Sequence, residues 1–231
     1  MSEVSALRGA GRWDEALELA HDPIQRADLL NEQALFTGSP EPRAAAAREL
    51  DRAEALVLQG RGRILHARFL AAREEDPREL ELFERSLELA EQAGDESAQA
   101  WSRFWIGIVH QVCRGDDAVA RPHFEGAYQA ACELDDRVLR AYAVRHLGFS
   151  VLQQGDGETA WQALEESVRL RREDGFLPGV AAGLLTLGEV AFEQGRLDLG
   201  RECLEEAREV AAATGATAFL DRIEAALEAL P

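Results

Sequence analysis

The chain has 231 residues, of which 46% are apolar and 29% are charged, so it is long and apolar enough to bury a core in a soluble fold. Its 43 acidic against 25 basic residues leave a net charge of −18, and no basic stripe interrupts this excess, so nucleic acid and anionic membranes are excluded as expected partners. Every basic residue is arginine, which excludes lysine chemistry and is typical of a GC-rich bacterial genome.

Targeting signals are missing from the sequence pattern. Residues 1–11 have neither the positive charge nor the apolar run of a signal peptide, and charged residues interrupt every apolar stretch before the roughly 18 residues that a membrane span needs. Cys113, Cys132 and Cys203 are odd in number and irregularly spaced, which argues against a disulfide framework. We therefore expect a cytoplasmic protein with reduced thiols.

Apolar residues recur at spacings of three and four along the chain, the pattern of amphipathic helices, whereas strand-like alternation is nowhere sustained. In chain order the pattern predicts helices near 11–20, 24–37, 42–58, 62–74, 77–93, 97–113, 118–133, 137–153, 158–172, 178–193, 197–213 and 217–229. The last helix has no partner, so we expect it to cap the open end of a helical array.

Three glycines, Gly115, Gly155 and Gly195, repeat at intervals of 40 residues, each followed by a small residue and then an apolar one. A second set of repeating positions, all apolar, lies upstream of the glycines, at Leu30, Leu65, Ile106, Leu147 and Leu187. These positions predict helix pairs near 24–58, 62–93, 97–133, 137–172 and 178–213, with a partial first unit in 1–21, the cap at 217–229, and a single domain over 1–231. The pair at 97–133 contains one extra residue before Gly115.

These residues resemble the tetratricopeptide repeat, in which an apolar residue and a glycine lie on the first helix, a glycine lies in the turn, and a small residue opens the second helix. Two units follow this pattern, at Leu147, Gly148, Gly155, Ala160, Leu164 and at Leu187, Gly188, Gly195, Gly200, Leu204. The period near 40 is longer than the usual 34, as in the longer repeats of bacterial regulators and adaptors, and His66 replaces the small residue. The resemblance implies an all-α solenoid, a right-handed superhelix of antiparallel helix pairs whose first helices line a concave groove for peptides, proteins or small ligands.

If each first helix buries one face, the opposite face lines this groove. The repeat spacing then predicts groove residues Trp101, Phe104, Ile108, Tyr142, Arg145, Phe149, Gln153, Leu185, Glu189 and Phe192. Clustered aromatic rings suit a binding surface, although a tight superhelix would bury the same rings against its next turn. Arg145 is expected to pair either with a ligand carboxylate or with a neighbouring glutamate.

Catalytic and metal-binding chemistry is not predicted. His110 and Cys113 share one helix face, with His146 and His123 as candidate additions, but a histidine packed between helices is the expected role of His110, so we predict no metal and no cofactor. Acidic pairs such as Glu165 and Glu166 are expected to face solvent. No nucleophile elbow, phosphate-binding loop or dinucleotide fingerprint is present in the sequence.

The sequence therefore predicts a non-catalytic binding scaffold that captures a peptide or partner protein as a regulatory or assembly adaptor. One alternative is a small-molecule sensor in which the groove closes into an apolar pocket. Another is an enzyme on the same scaffold, which would need a cluster of perturbed titratable groups in that pocket. The partial first unit also leaves pairing with a second copy of the chain open.

Overall fold

The computed structural model describes residues 2–229, and over that range it contains only helices. They are α1 (Glu3–Gly9), α2 (Trp13–Leu19), α3 (Pro23–Thr37), α4 (Glu41–Ala72), α5 (Arg78–Ala93), α6 (Glu96–Ile108), a π-helical turn (Val109–Cys113), α7 (Asp117–Glu133), α8 (Arg137–Gln153), α9 (Gly157–Glu173), α10 (Leu177–Glu193), α11 (Leu197–Thr214) and α12 (Thr217–Glu228). The predicted all-α class is confirmed, and no described helix has the length and apolar character of a membrane span.

The helices form two compact units, residues 1–115 and 116–231. Helices α1 to α6 pack in chain order in the first unit, and α7 to α12 do so in the second. The boundary between the two units falls inside the predicted helix pair at 97–133, and the single domain expected over 1–231 stays a prediction.

Glycine turns produce the 40-residue repeat. Gly115, Gly155 and Gly195 have φ values of 67°, 84° and 73°, a left-handed backbone that is strained for residues with a side chain. After two of these turns an aspartate caps the next helix: Asp116 accepts the Val119 amide at 3.1 Å and Asp156 accepts the Thr159 amide at 3.1 Å. The predicted turns are therefore correct.

Helix α4 corrects the prediction, because it replaces the two helices expected at 42–58 and 62–74 with one helix of 32 residues. The sequence QGRGR at 59–63 suggested a turn, but Gly62 serves packing instead. A β-carbon on Gly62 would lie 2.5 Å from the Phe83 ring of α5. The continuous helix packs against both α3 and α5.

The extra residue in the predicted pair 97–133 is absorbed by the π-helical turn Val109–Cys113, which continues directly from α6. A π-helical turn holds one more residue than an α-helical turn. It thereby accommodates the extra residue before the turn at Gly115.

The hydrophobic core differs between the two units. In residues 116–231 one continuous cluster joins Leu164, Leu184, Leu204 and Ile223 from the four helices α9 to α12, and a small separate cluster contains Ala141, Val144 and Leu170. In residues 1–115 there are small clusters, including one formed by Phe83, Ile106 and Val109. The regular repeat spacing of α9 to α12 accounts for the continuous core that these helices share.

Two glycine-to-alanine variants should shift stability in opposite directions. A β-carbon on Gly188 would lie 2.8 Å from Leu204, which is fully buried, and 3.2 Å from the Gly200 carbonyl oxygen. Gly188→Ala should therefore lower the free energy of unfolding by about 1–3 kcal/mol. Gly126 lies within α7, and no atom lies within 4 Å of an added β-carbon. Gly126→Ala should therefore raise the free energy of unfolding by about 0.5–1 kcal/mol. Denaturant unfolding measures both, and equal shifts would contradict the packing described for Gly188.

Candidate functional site

Helix α8 carries four of the predicted groove residues, of which Gln153 is its last residue and exposed. Asp136 starts the helix by accepting the Leu139 amide at 2.9 Å, and Tyr142, Arg145 and Phe149 then follow at spacings of three and four. All three are partly buried. The repeat spacing therefore places these side chains together within residues 116–231.

Arg145 is held by a hydroxyl and an aromatic ring. Its Nη2 donates to Thr186 Oγ1 at 3.2 Å, and its guanidinium carbon lies 4.8 Å from the centre of the Phe149 ring. Its Nε is buried with no hydrogen-bond acceptor. Burial, with a further contribution from the nearby Arg171 cation, lowers the pKa of Arg145 to about 10, so the side chain is still charged at neutral pH.

A second arginine lies close enough to Arg145 to lower its pKa. Arg171 on α9 is only 4% exposed; its Nη1 donates to the Gly179 carbonyl oxygen at 2.8 Å, and its guanidinium lies 5.1 Å from the Tyr142 ring. Its Nε also has no acceptor, and burial lowers its pKa. We call Arg145 and Arg171 the arginine pair.

The arginine pair is not neutralised by the protein. Among residues 2–229, no carboxylate forms a salt bridge with either arginine. Burial lowers the pKa of Arg145, and the carboxylate of Glu189 opposes this effect slightly. Glu189 Oε1 lies 3.7 Å from Arg222, and burial raises the pKa of Glu189. Of the two expected partners of Arg145, a neighbouring glutamate is not found in a salt bridge with it among the described residues, and a ligand carboxylate stays a prediction.

Sequence analysis missed Arg171 because it lies on α9, a predicted second helix. Its spacing from Leu164 and Val168, seven and three residues, places it on the buried face of that helix, and this was the available signal. Gly179 and Gly183 on α10 provide the room, since a β-carbon on Gly179 would lie 3.2 Å from Arg171 Cδ.

The structure buries other predicted groove residues more deeply than expected. Phe104, Ile108 and Leu185 are 1%, 3% and 1% exposed, so their side chains offer almost no surface to a partner. Phe192 is partly buried and packs over Gly200 of α11. Gln153 and Glu189 are exposed, and Trp101 is partly buried with its ring edge-on to Phe104 at 5.9 Å. A role in binding for each of them stays a prediction.

A cleft that the sequence did not suggest lies between α4 and α5. Its volume is about 490 Å³, and its lining combines apolar side chains, including Ile64 and Leu82, with Arg61 and Arg68. Ile64 is 57% exposed. The turn predicted near residue 60 concealed this surface, because it split the apolar stripe of α4 between two helices.

No protein-family model matches this chain, and no curated protein matches it. Solved structures that are similar to it include the following two. BtubC (BKLC) from P. vanneervenii is 18% identical over 93% of each chain, with a TM-score of 0.56. A kinesin light chain protein with nearly identical TPR-like repeats from Podosopora anserina is 17% identical over 92% of this chain and 93% of that one, with a TM-score of 0.46. At this identity the similarity to BtubC concerns the fold, and it agrees with the helical-repeat architecture that the sequence predicts.

Proposed function

We propose that the chain is a non-catalytic binding scaffold that holds a carboxylate-bearing segment of a partner protein at the arginine pair. The observation that carries this proposal is that two cationic side chains, Arg145 partly buried and Arg171 buried, each have a buried Nε–H without an acceptor. They lie close enough for the Arg171 cation to lower the pKa of Arg145. Buried polar donors are normally satisfied and buried charges normally paired. A carboxylate supplied by a partner would provide both the acceptor and the opposite charge.

The surroundings of the arginine pair suit a peptide. Phe149 and Tyr142 are partly buried rings that contact the two guanidinium groups, and aromatic and arginine side chains together are typical of the residues that dominate binding energy. The net charge of −18 repels acidic molecules elsewhere on the surface, which would favour partners whose carboxylate reaches this position. The scaffold would act as an adaptor in the cytoplasm.

Selection from displayed random peptides tests this proposal on the full chain. The selected peptides should be enriched in aspartate, glutamate or a free terminal carboxylate, because only these groups neutralise the arginine pair. Each selected peptide is then synthesised with its key carboxylate and with the corresponding amide, and the two affinities are compared by calorimetry. The amide should bind at least about tenfold more weakly, as expected for losing a charge-assisted hydrogen bond.

Two results would count against the proposal. Equal affinities for the acid and amide forms would remove the arginine pair from the interface. Glutarate binding as tightly as the best peptide would favour the small-molecule sensor instead.

A further inference from the structure

A second cluster of polar side chains lies in residues 1–115, whereas the arginine pair belongs to residues 116–231. His66 comes from the C-terminal part of α4, Glu79 from the first turn of α5, and Cys113 from the end of the π-helical turn. One ligand atom from each of the three residues lies within 4.8 Å of the other two. Side chains far apart in the sequence thus converge on a single point.

The distances suit a small ion. His66 Nδ1 lies 2.9 Å from Glu79 Oε1 and 4.0 Å from Cys113 Sγ. In a tetrahedral zinc site with normal bond lengths the ligand atoms are separated by about 3.3–3.6 Å. Shifts of about half an ångström would bring the two separations from His66 into this range, and the Glu79 and Cys113 ligand atoms lie within 4.8 Å of each other.

Glu79 gives an independent reason to expect a cation. Its side chain is fully buried, and its Oε2 has no hydrogen-bond partner. Leaving a carboxylate oxygen in an apolar interior without a partner is costly. The surroundings are apolar, since the His66 ring packs against Phe69 at 6.2 Å and Trp105 at 5.7 Å.

The same geometry argues against a thiol–imidazole catalytic arrangement. In such an arrangement the thiol and the carboxylate contact different nitrogens of the histidine. Here both Cys113 Sγ and Glu79 Oε1 lie near the same nitrogen, Nδ1 of His66. Three ligand atoms gathered on one side of the ring in this way suit an ion held between them.

We propose that His66, Glu79 and Cys113 form a zinc site with three protein ligands and one open position. Nitrogen, sulfur and carboxylate oxygen together are the ligand set that Zn²⁺ accepts. On binding, a Zn–S bond replaces the S–H bond of Cys113 and the thiol proton passes to solvent. His66 binds through Nδ1 as the neutral imidazole, with its remaining proton on Nε2. The ion would link α4, α5 and the π-helical turn.

Cobalt titration tests this proposal on the full chain, purified without a histidine tag and freed of metal with a chelator. One equivalent of Co²⁺ should produce a thiolate-to-cobalt charge-transfer band and the visible bands of a tetrahedral ion, and Zn²⁺ should abolish both by competition. Cys113→Ser should remove the charge-transfer band and weaken cobalt binding at least tenfold, as expected for losing a direct ligand. Cys132→Ser, which changes an exposed cysteine outside the cluster, should bind like the wild type.

Thermal unfolding supplies a second measurement. Saturating Zn²⁺ should raise the melting temperature of the wild type and of Cys132→Ser but not that of Cys113→Ser, because only a ligand of the folded state stabilises it. Glu79→Gln should also lose the cobalt bands. If the Glu79→Gln protein does not fold, because Glu79 is fully buried, the Cys113→Ser variant decides the test, since Cys113 is only half-buried. A wild-type chain that shows no charge-transfer band, or a band that survives in Cys113→Ser, would overturn the proposal and leave a His66–Glu79 ion pair.

Discussion

Replacing Leu185 with alanine is expected to lower the free energy of unfolding by about 2–5 kcal/mol. The sequence placed Leu185 in a binding groove, but it is 1% exposed and belongs to the continuous core of residues 116–231. Removing it leaves a cavity that its rigid neighbours cannot fill. Urea unfolding followed by circular dichroism gives the value.

Leu197→Ala is the matched control, since Leu197 is 47% exposed in the same unit. It should change the free energy of unfolding by no more than about 0.5 kcal/mol. A loss below about 1 kcal/mol for Leu185→Ala would mean that its side chain faces a partner and not the core.

Replacing Arg145 with methionine should separate binding from stability. Affinity for a carboxylate peptide selected on the wild type should fall at least about 30-fold, because the peptide loses a partly desolvated ionic partner while its own charge remains buried. The free energy of unfolding should stay the same or rise by up to about 2 kcal/mol. Methionine retains the apolar length of the side chain but removes a charge that lies close to another charge, that of Arg171, and such replacements are often neutral or stabilising.

Calorimetry and denaturant unfolding on the same preparation measure the two quantities. Arg137→Met is the control, since Arg137 is exposed at the start of the same helix, and it should alter neither. An Arg145→Met protein that loses several kcal/mol of stability yet binds the peptide normally would show that Arg145 is a structural residue.

Much of the helical architecture could be predicted because its signals are local. Helix α8 spans residues 137–153 as predicted, since its N-terminal aspartate and its apolar spacing lie within one stretch of sequence. The exception was α4, which was predicted as two helices because a glycine in a turn and a glycine in a close helix contact look alike in a sequence. Gly155 permits a left-handed turn, whereas Gly62 lets an aromatic ring approach a helix.

The candidate sites were harder to predict because they depend on packing between elements. Arg145 was identified from repeat spacing, but its partner Arg171 comes from a different helix, and the depth at which Phe104 is buried depends on its neighbours. Repeat spacing also failed to predict how deeply equivalent leucines are buried. Leu187 is 3% exposed, but Leu147, the equivalent residue one repeat earlier, is only partly buried.

The cluster of His66, Glu79 and Cys113 left two separate traces in the sequence, since Cys113 was considered as a metal ligand only together with His110. His66 occupies a position where the repeat favours a small residue, which marked it as unusual. Its partners lie 13 and 47 residues later, and the π-helical turn that contains Cys113 has no simple sequence signature. No motif search would join these three residues.

The continuous helix α4 has a consequence for how residues 1–115 unfold. In most repeat arrays each helix pair can come apart from its neighbour, so unfolding starts at an end and proceeds one pair at a time. Helix α4 is about 48 Å long at 1.5 Å per residue and packs against both α3 and α5. Melting any part of it would release both partners at once, so amide hydrogens in α3, α4 and α5 should exchange in one cooperative opening.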